Sequence, residues 1–220
     1  NTVITRSTPV QTSAGGANWK QVAGGYKHTV AIKTDGTLWT WGSNTFGQLG
    51  NATTIARSTP VTTFRGGNNW LQISVGAEHA AGVKADSTLW TWGSGFYGKL
   101  GNAQTTNRST PITAFIAGNN WRQVSCGGNQ TAAIKTNGTL WTWGSRILGL
   151  MADNTSTAVP RSTPNTTLAG GTNWKQVSCG GNSTTAIKTN GTLWVWGFGG
   201  YGQLGIGQPT SVLTAVTTFA

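Results

Sequence analysis

The chain says the same thing four times, and that limits its folds more than any other feature. Arg-Ser-Thr-Pro begins at Arg6, Arg57, Arg108 and Arg161, and Trp-x-Gln-(Val/Ile) at Trp19, Trp70, Trp121 and Trp174. Leu-Trp-(Thr/Val)-Trp-Gly begins at Leu38, Leu89, Leu140 and Leu193, so every series advances by 51, 51 and 53 residues. A unit of this size cannot bury its apolar faces alone, so the copies must stack on one another. The two extra residues fall between Asp153 and Arg161, where a surface loop absorbs them.

Within a unit the pattern is β. Residues 29–33 alternate faces, residues 34–36 turn, and residues 37–41 alternate again, with Asn137-Gly138 and Asn190-Gly191 as hairpin signals in later copies. Trp-x-Gln-Val supplies a third short strand, and the stretch after Arg-Ser-Thr-Pro a fourth. Four short strands repeated about every 51 residues predict an all-β fold of four propeller-type blades, each of four short antiparallel strands. Cut at Arg-Ser-Thr-Pro, the units are 6–56, 57–107, 108–160 and 161–211.

The residues carry a resemblance. The order Val22-Ala-Gly-Gly-x-x-His28, then Asp35-Gly-Thr-Leu-Trp-x-Trp-Gly42, then Asn44-x-x-Gly-Gln-Leu-Gly50 resembles the regulator-of-chromosome-condensation repeat over essentially the whole chain. The resemblance implies a β-propeller, usually seven-bladed, that acts as a platform for protein interaction. Eukaryotic members include nucleotide exchangers for small GTPases that dock on chromatin, and bacterial ones include secreted propellers that inhibit an enzyme by contact. The Leu-Trp-Thr-Trp spelling and the Thr/Asn-rich loops look more like bacterial or viral members. Copies diverge: the family histidine is His28 and His79, then Gln130 and Ser183, and Gly-Gln-Leu-Gly degenerates to Gly149-Leu-Met-Ala152.

Composition excludes several chemistries. Only four acids (Asp35, Glu78, Asp86, Asp153) stand against 15 basic residues, a formal net charge of +11, so paired-carboxylate catalysis is nearly ruled out and an anionic partner is expected. No metal site, cofactor or enzyme activity is expected, because no His, Cys or carboxylate cluster accompanies His28 or His79. Cys126 and Cys179 occupy equivalent positions on neighbouring units and are expected as buried free thiols. No uninterrupted apolar run approaches a membrane span, so no membrane insertion is expected. The start at Asn1 without a leader reads as a processed product, a fragment or part of a longer array.

All 12 tryptophans (Trp19, Trp39, Trp41, Trp70, Trp90, Trp92, Trp121, Trp141, Trp143, Trp174, Trp194 and Trp196) are tied to the repeat and are read as inter-blade core. Trp39, Trp90, Trp141 and Trp194 are expected to be mostly buried against the adjacent blade. That assignment leaves no exposed aromatic set for base stacking. The candidate binding residues are two basic series, Lys33, Lys84, Lys135 and Lys188, and Arg6, Arg57, Arg108 and Arg161. Stacking must turn each into an arc. A third position holds Lys20, Leu71, Arg122 and Lys175.

These features predict a non-enzymatic structural or binding scaffold on an extracellular, cell or virion surface. A lectin-like or polyanion-binding propeller using loops such as Asn51–Ala56 and Asn102–Asn107 is the first alternative, and a guanine-nucleotide-exchange-type regulator the second. Residues 212–220 reproduce the Arg-Ser-Thr-Pro strand of earlier units and read as the opening of a fifth. One such segment is then surplus, and the ring is expected to be incomplete. The partner expected is the chain itself, a homo-oligomer or filament joined through segments 1–13 and 212–220.

Overall fold

The computed structural model describes residues 7–13, 15–64, 66–116 and 118–218. The Asx-x-Thr turn of each unit organises its hairpin. Asp35 Oδ1 accepts hydrogen bonds from the Thr37 N–H (2.9 Å) and hydroxyl (2.7 Å), and the Thr37 oxygen accepts one from Trp39 Nε1 (3.0 Å). Asp86, Asn137 and Asn190 repeat this chain of bonds in the later copies. The turn's third position requires positive φ, supplied by Gly36, Gly138 and Gly191, but Ser87 takes it in the second copy at φ 61.

Four antiparallel meanders result. The first blade holds β1 (Trp19–Gly24), β2 (His28–Lys33), β3 (Leu38–Gly42) and β4 (Arg57–Thr62). The second holds β5 (Trp70–Val75), β6 (His79–Lys84), β7 (Leu89–Gly93) and β8 (Arg108–Thr113). The third holds β9 (Trp121–Cys126), β10 (Gln130–Lys135), β11 (Leu140–Gly144) and β12 (Arg161–Thr166). The fourth holds β13 (Trp174–Cys179), β14 (Ser183–Lys188), β15 (Leu193–Gly197) and β16 (Val212–Thr217). Each is a four-stranded sheet in chain order, and the four make an arc, unclosed between the first and the last.

The pairing corrects the phase of the repeat. Arg-Ser-Thr-Pro closes the blade before it instead of opening the next, since β4 pairs with β3 and β16 with β15. Residues 212–217 therefore complete the fourth blade and do not start a fifth. The surplus copy lies at the other end, where residues 7–13 form no strand. Arg6 and the rest of the segment 1–6, with residues 219–220, lie outside the described residues.

A bulge near the start of each inner strand sets what the blade shows its neighbour. Trp19 stands opposite Lys33 and Gln21 opposite Ile32, so Lys20 is the extra residue, and the shift recurs in every blade. It brings an indole beside the lysine and aims the glutamine across to the following blade. Three inter-blade cores form in this way. Val30, Ile32 and Leu38 meet Trp70, Ile73 and Trp92; Val83 and Leu89 meet Trp121, Val124 and Trp143; Ile134 and Leu140 meet Trp174, Val177 and Trp196. No helix among the described residues is long and apolar enough to cross a membrane.

Candidate interaction surfaces

A meander places alternate connections on opposite faces. The β2–β3 type turns and the links between blades share one face, here the turn face. The β1–β2 and β3–β4 type loops share the other, here the loop face.

On the turn face the lysine series is assembled and largely occupied. Lys33 Nζ lies 5.0 Å from the Trp19 ring centroid and 4.5 Å from that of Trp39. Lys84, Lys135 and Lys188 repeat the clamp at 4.4 to 4.9 Å with their own pairs of indoles. A cation over an indole face is held by the ring quadrupole, and burial holds Lys84 and Lys135 below the usual lysine pKa. Lys20, Arg122 and Lys175 stand exposed on the same strand ends, and Arg122 donates to the carbonyls of Trp174 (2.8 Å) and Lys175 (3.0 Å) in the next blade.

The tryptophans are not equivalent. Trp39, Trp90, Trp141 and Trp194, expected to be mostly buried against the adjacent blade, are partly buried: Trp90, Trp141 and Trp194 pack against the inter-blade cores, while each ring also meets a lysine at the turn face. The fully buried rings are Trp70, Trp121 and Trp174 together with Trp92, Trp143 and Trp196. Trp92 Nε1 donates to the Gln48 carbonyl of the blade before it (3.0 Å), as do Trp143 to Lys99 (2.9 Å) and Trp196 to Leu150 (3.1 Å). Gly50 and Gly101, at φ 64 and 65, make room for this ring, since a Cβ would stand 2.9 and 2.7 Å from the indole. Ala152 holds that position in the third blade at φ 51.

The arginine series falls apart chemically. Arg57 is exposed, and Arg108 bonds Gln104. Arg161 shares Asp153 with Arg146, each at 2.8 Å; against burial, which pushes the Asp153 carboxyl up, the Thr155 hydroxyl and then these two cations hold it below its usual pKa. In the loop Asn51–Ala56, Asn51 Oδ1 turns inward to Thr53 and Asn44, holding the loop instead of facing solvent.

The loop face holds what the sequence reading missed. Phe46, Tyr97, Leu148 and Tyr201 occupy one register position, immediately before a glycine, on four successive blades. Tyr201 is 90% exposed, Phe96 60%, Ile147 41% and Tyr97 38%, and Tyr26 (75%) joins them from the β1–β2 loop. Tyr97 and Leu148 hold φ of 60 and 62 there. Phe96 and Tyr97 meet edge to face at 6.3 Å, and so do Phe198 and Tyr201 at 5.6 Å. An exposed aromatic set therefore exists, against expectation. Its signal was a large apolar residue recurring in otherwise polar loops.

Between the β1–β2 type loops of the four blades lies a depression of about 300 Å³ lined by Gly25, Gly76, Gly127 and Gly180 with Cys126 and Cys179. Both cysteines are free, and burial pushes the Cys126 thiol well up and that of Cys179 to about 11, so neither is a ready nucleophile. Burial also lowers the His28 pKa to about 4 and that of His79 well below normal. His79 Nε2 meets the Thr131 hydroxyl at 2.9 Å across the blade joint, whereas both His28 nitrogens lack a partner among the described residues. The nearest ion pair is Lys99–Glu78 at 3.8 Å, with Lys99 buried. Among the described residues no group of three His, Cys, Asp or Glu could hold a metal.

Comparison with known proteins agrees with this geometry. Two models of the regulator of chromosome condensation (RCC1) repeat match, one over residues 19–48, 70–99 and 174–203, the other over 35–83 and 86–134. The ultraviolet-B receptor UVR8 of Arabidopsis thaliana is 32% identical over 202 residues, which are 88% of this chain and 44% of the receptor. Human E3 ubiquitin-protein ligase HERC2 is 29% identical over 198 residues, 87% of this chain and 4% of the ligase. Yeast RCC1 (Prp20), solved bound to Kap60, superposes with a TM-score of 0.84 at 19% identity, covering 98% of this chain and 52% of that one. Human WBSCR16 gives 0.81 at 24%, covering 92% and 53%. The chain thus spans about half, or much less, of each of these four proteins. Four phased blades, the interlocking tryptophans and both repeat models make this chain a member of the regulator of chromosome condensation repeat family.

Proposed function

We propose that the chain is a non-enzymatic interaction scaffold whose loop face receives a protein partner. The observation that carries this reading is the arc of exposed Tyr26, Phe96, Tyr97, Ile147 and Tyr201 on successive blades, since contiguous exposed apolar surface marks interaction sites. Thiols held protonated and histidines held neutral by burial support the absence of catalysis. The solved relative bound to Kap60, and Prp20p studied for its binding to Gsp1p and histones, are protein-binding propellers of this fold. The test is selection of peptides from a displayed library on the intact chain. Peptides that lose at least tenfold affinity for a Phe96→Ser/Tyr201→Ser variant, but not for Thr139→Ala on the turn face, support the reading. Selected peptides indifferent to the loop-face pair refute it.

A second reading, binding of an anionic polymer, is favoured by seven cations gathered on the turn face with, among the described residues, only Asp35 and Asp86 beside them. Retention on heparin should then fall steeply with salt, and retention that salt leaves unchanged ends it. The reading also places the chain on an extracellular, cell or virion surface, in keeping with its Leu-Trp-Thr-Trp spelling, Thr/Asn/Gly-rich loops and few charges. Antibody labelling of intact against permeabilised cells or particles tests that placement. Self-association is the last element of the reading, and its surfaces follow.

A further inference from the structure

Each blade joint is made by the same few groups. Gln21 Nε2 donates to the Ile73 carbonyl (3.0 Å) while its Oε1 accepts from the Ile73 N–H (3.1 Å). Gln72 does the same to Val124 (2.8 and 2.9 Å) and Gln123 to Val177 (3.0 and 3.1 Å). A side-chain amide thus stands in for a strand, bonding both polar groups of one residue on the neighbour's inner edge. Two joints add a serine: Ser74 Oγ accepts from Cys126 N–H (2.9 Å) and Ser125 Oγ from Cys179 N–H (2.8 Å). All three add the buried indole that donates to a carbonyl of the preceding blade.

The two ends of the arc hold the unmatched halves of this joint. On the fourth blade, Gln176 and Ser178 are exposed, and neither the Gln176 amide nor the Gln203 carbonyl, which matches that of Gln48, has a hydrogen bond among the described residues. Leu193, whose counterparts are buried, is 39% exposed there. On the first blade, Val22 stands where Ile73, Val124 and Val177 are buried and is 66% exposed. Trp41, counterpart of the fully buried Trp92, is only half-buried and has no acceptor for its Nε1 among the described residues.

We propose that the fourth-blade end face of one chain docks on the first-blade end face of a second copy, head to tail. Gln176 bonds the N–H and C=O of Val22 in the second copy, Ser178 Oγ accepts from its Gly24 N–H, and its Trp41 Nε1 donates to the Gln203 carbonyl. The occupant is a second copy because the chain already makes this contact three times within itself, and its two ends are the complementary halves. Two different faces meet, so the contact is heterologous and propagates unless the rotation closes a ring. Self-association in the reading above is thereby given its surfaces, the end faces of the first and fourth blades.

Sedimentation velocity over a hundredfold concentration range tests this, using the 220-residue chain, Val22→Arg and Gln176→Arg. Both substituted side chains are exposed, and near-ultraviolet circular dichroism verifies each fold. The wild type should grow with concentration, and each variant alone should stay monomeric, with at least a tenfold loss of assembled fraction. Mixed, the variants should form a 1:1 dimer that grows no further, because each keeps the face the other lacks. A wild type monomeric throughout, variants that assemble like it, or a mixture of folded variants that stays monomeric overturns the proposal. The Phe96→Ser/Tyr201→Ser variant should assemble as the wild type does, which separates this contact from the loop-face reading.

Discussion

Gln123 and Gln176 are the same residue of the same repeat in nearly the same strand, yet they live different lives. Gln123 makes two hydrogen bonds to Val177, and Gln176 stands exposed at the end of the arc. Trp92 and Trp41 divide likewise, one fully buried with its Nε1–H satisfied, the other half-buried without an acceptor among the described residues. The repeat therefore encodes a joint more than a blade. Its costliest residues act only where two copies meet, so identical sequence gives unlike energies in the interior and at the ends.

Substitution at paired positions measures that difference. Trp121→Ala, in the buried joint of the third blade, should cost about 3–5 kcal/mol in urea unfolding, the range for removing a large core ring. Trp19→Ala, at the half-exposed first blade, should cost less than half as much. Equal losses would break the comparison. Acid provides the next test. Unfolded His protonates near 6.5, but His28 in the fold waits until about 4, so the unfolded chain takes the proton first. Stability is full above about pH 6.5 and falls by about 3 kcal/mol on descent to pH 4 through this residue. His79 weakens the fold in the same direction. Replacing both by Gln, the residue native at position 130, should flatten stability over this window, as read by unfolding at a series of pH values.

Smaller effects sharpen the contrast. Gln123→Ala leaves the buried N–H and C=O of Val177 without partners and should cost about 1–3 kcal/mol. Gln176→Ala, measured at concentrations where the chain is monomeric, should fall within about 0.5 kcal/mol of wild type, as exposed substitutions do. The turns, unlike the faces, should be interchangeable among blades. Ser87→Gly relieves φ 61 at a position where the other blades carry glycine, and should raise stability by about 1 kcal/mol or less. No gain in the unfolding midpoint would show that the turns also differ.

Much of this was legible in the chain. Hairpins, blade number and the stacking of copies follow from period and alternation, because the Asx-x-Thr turn and the β pattern are local chemistry. The phase was not legible. Arg-Ser-Thr-Pro lies at similar sequence distances from the hairpins on either side, and only backbone pairing assigns it to the earlier one. Nor were the roles within each tryptophan trio. Trp90 and Trp92 lie two residues apart on one strand, yet one faces a lysine and a turn while the other faces the preceding blade. The loop aromatics escaped because twelve tryptophans drew the whole aromatic reading into the core, leaving Phe96 and Tyr201 unweighed.

The glutamine that imitates a strand has a consequence for heredity. A joint built from a side-chain amide and a backbone pair does not depend on which blade supplies which half. Excision of residues 70–120 from the gene would leave β4 leading into β9 and bring Gln21 against Val124, the two halves that Gln21–Ile73 and Gln72–Val124 already join. Insertion of a copied unit would do the reverse. Such a gene can lengthen or shorten by whole units in one crossover, and each product inherits working seams.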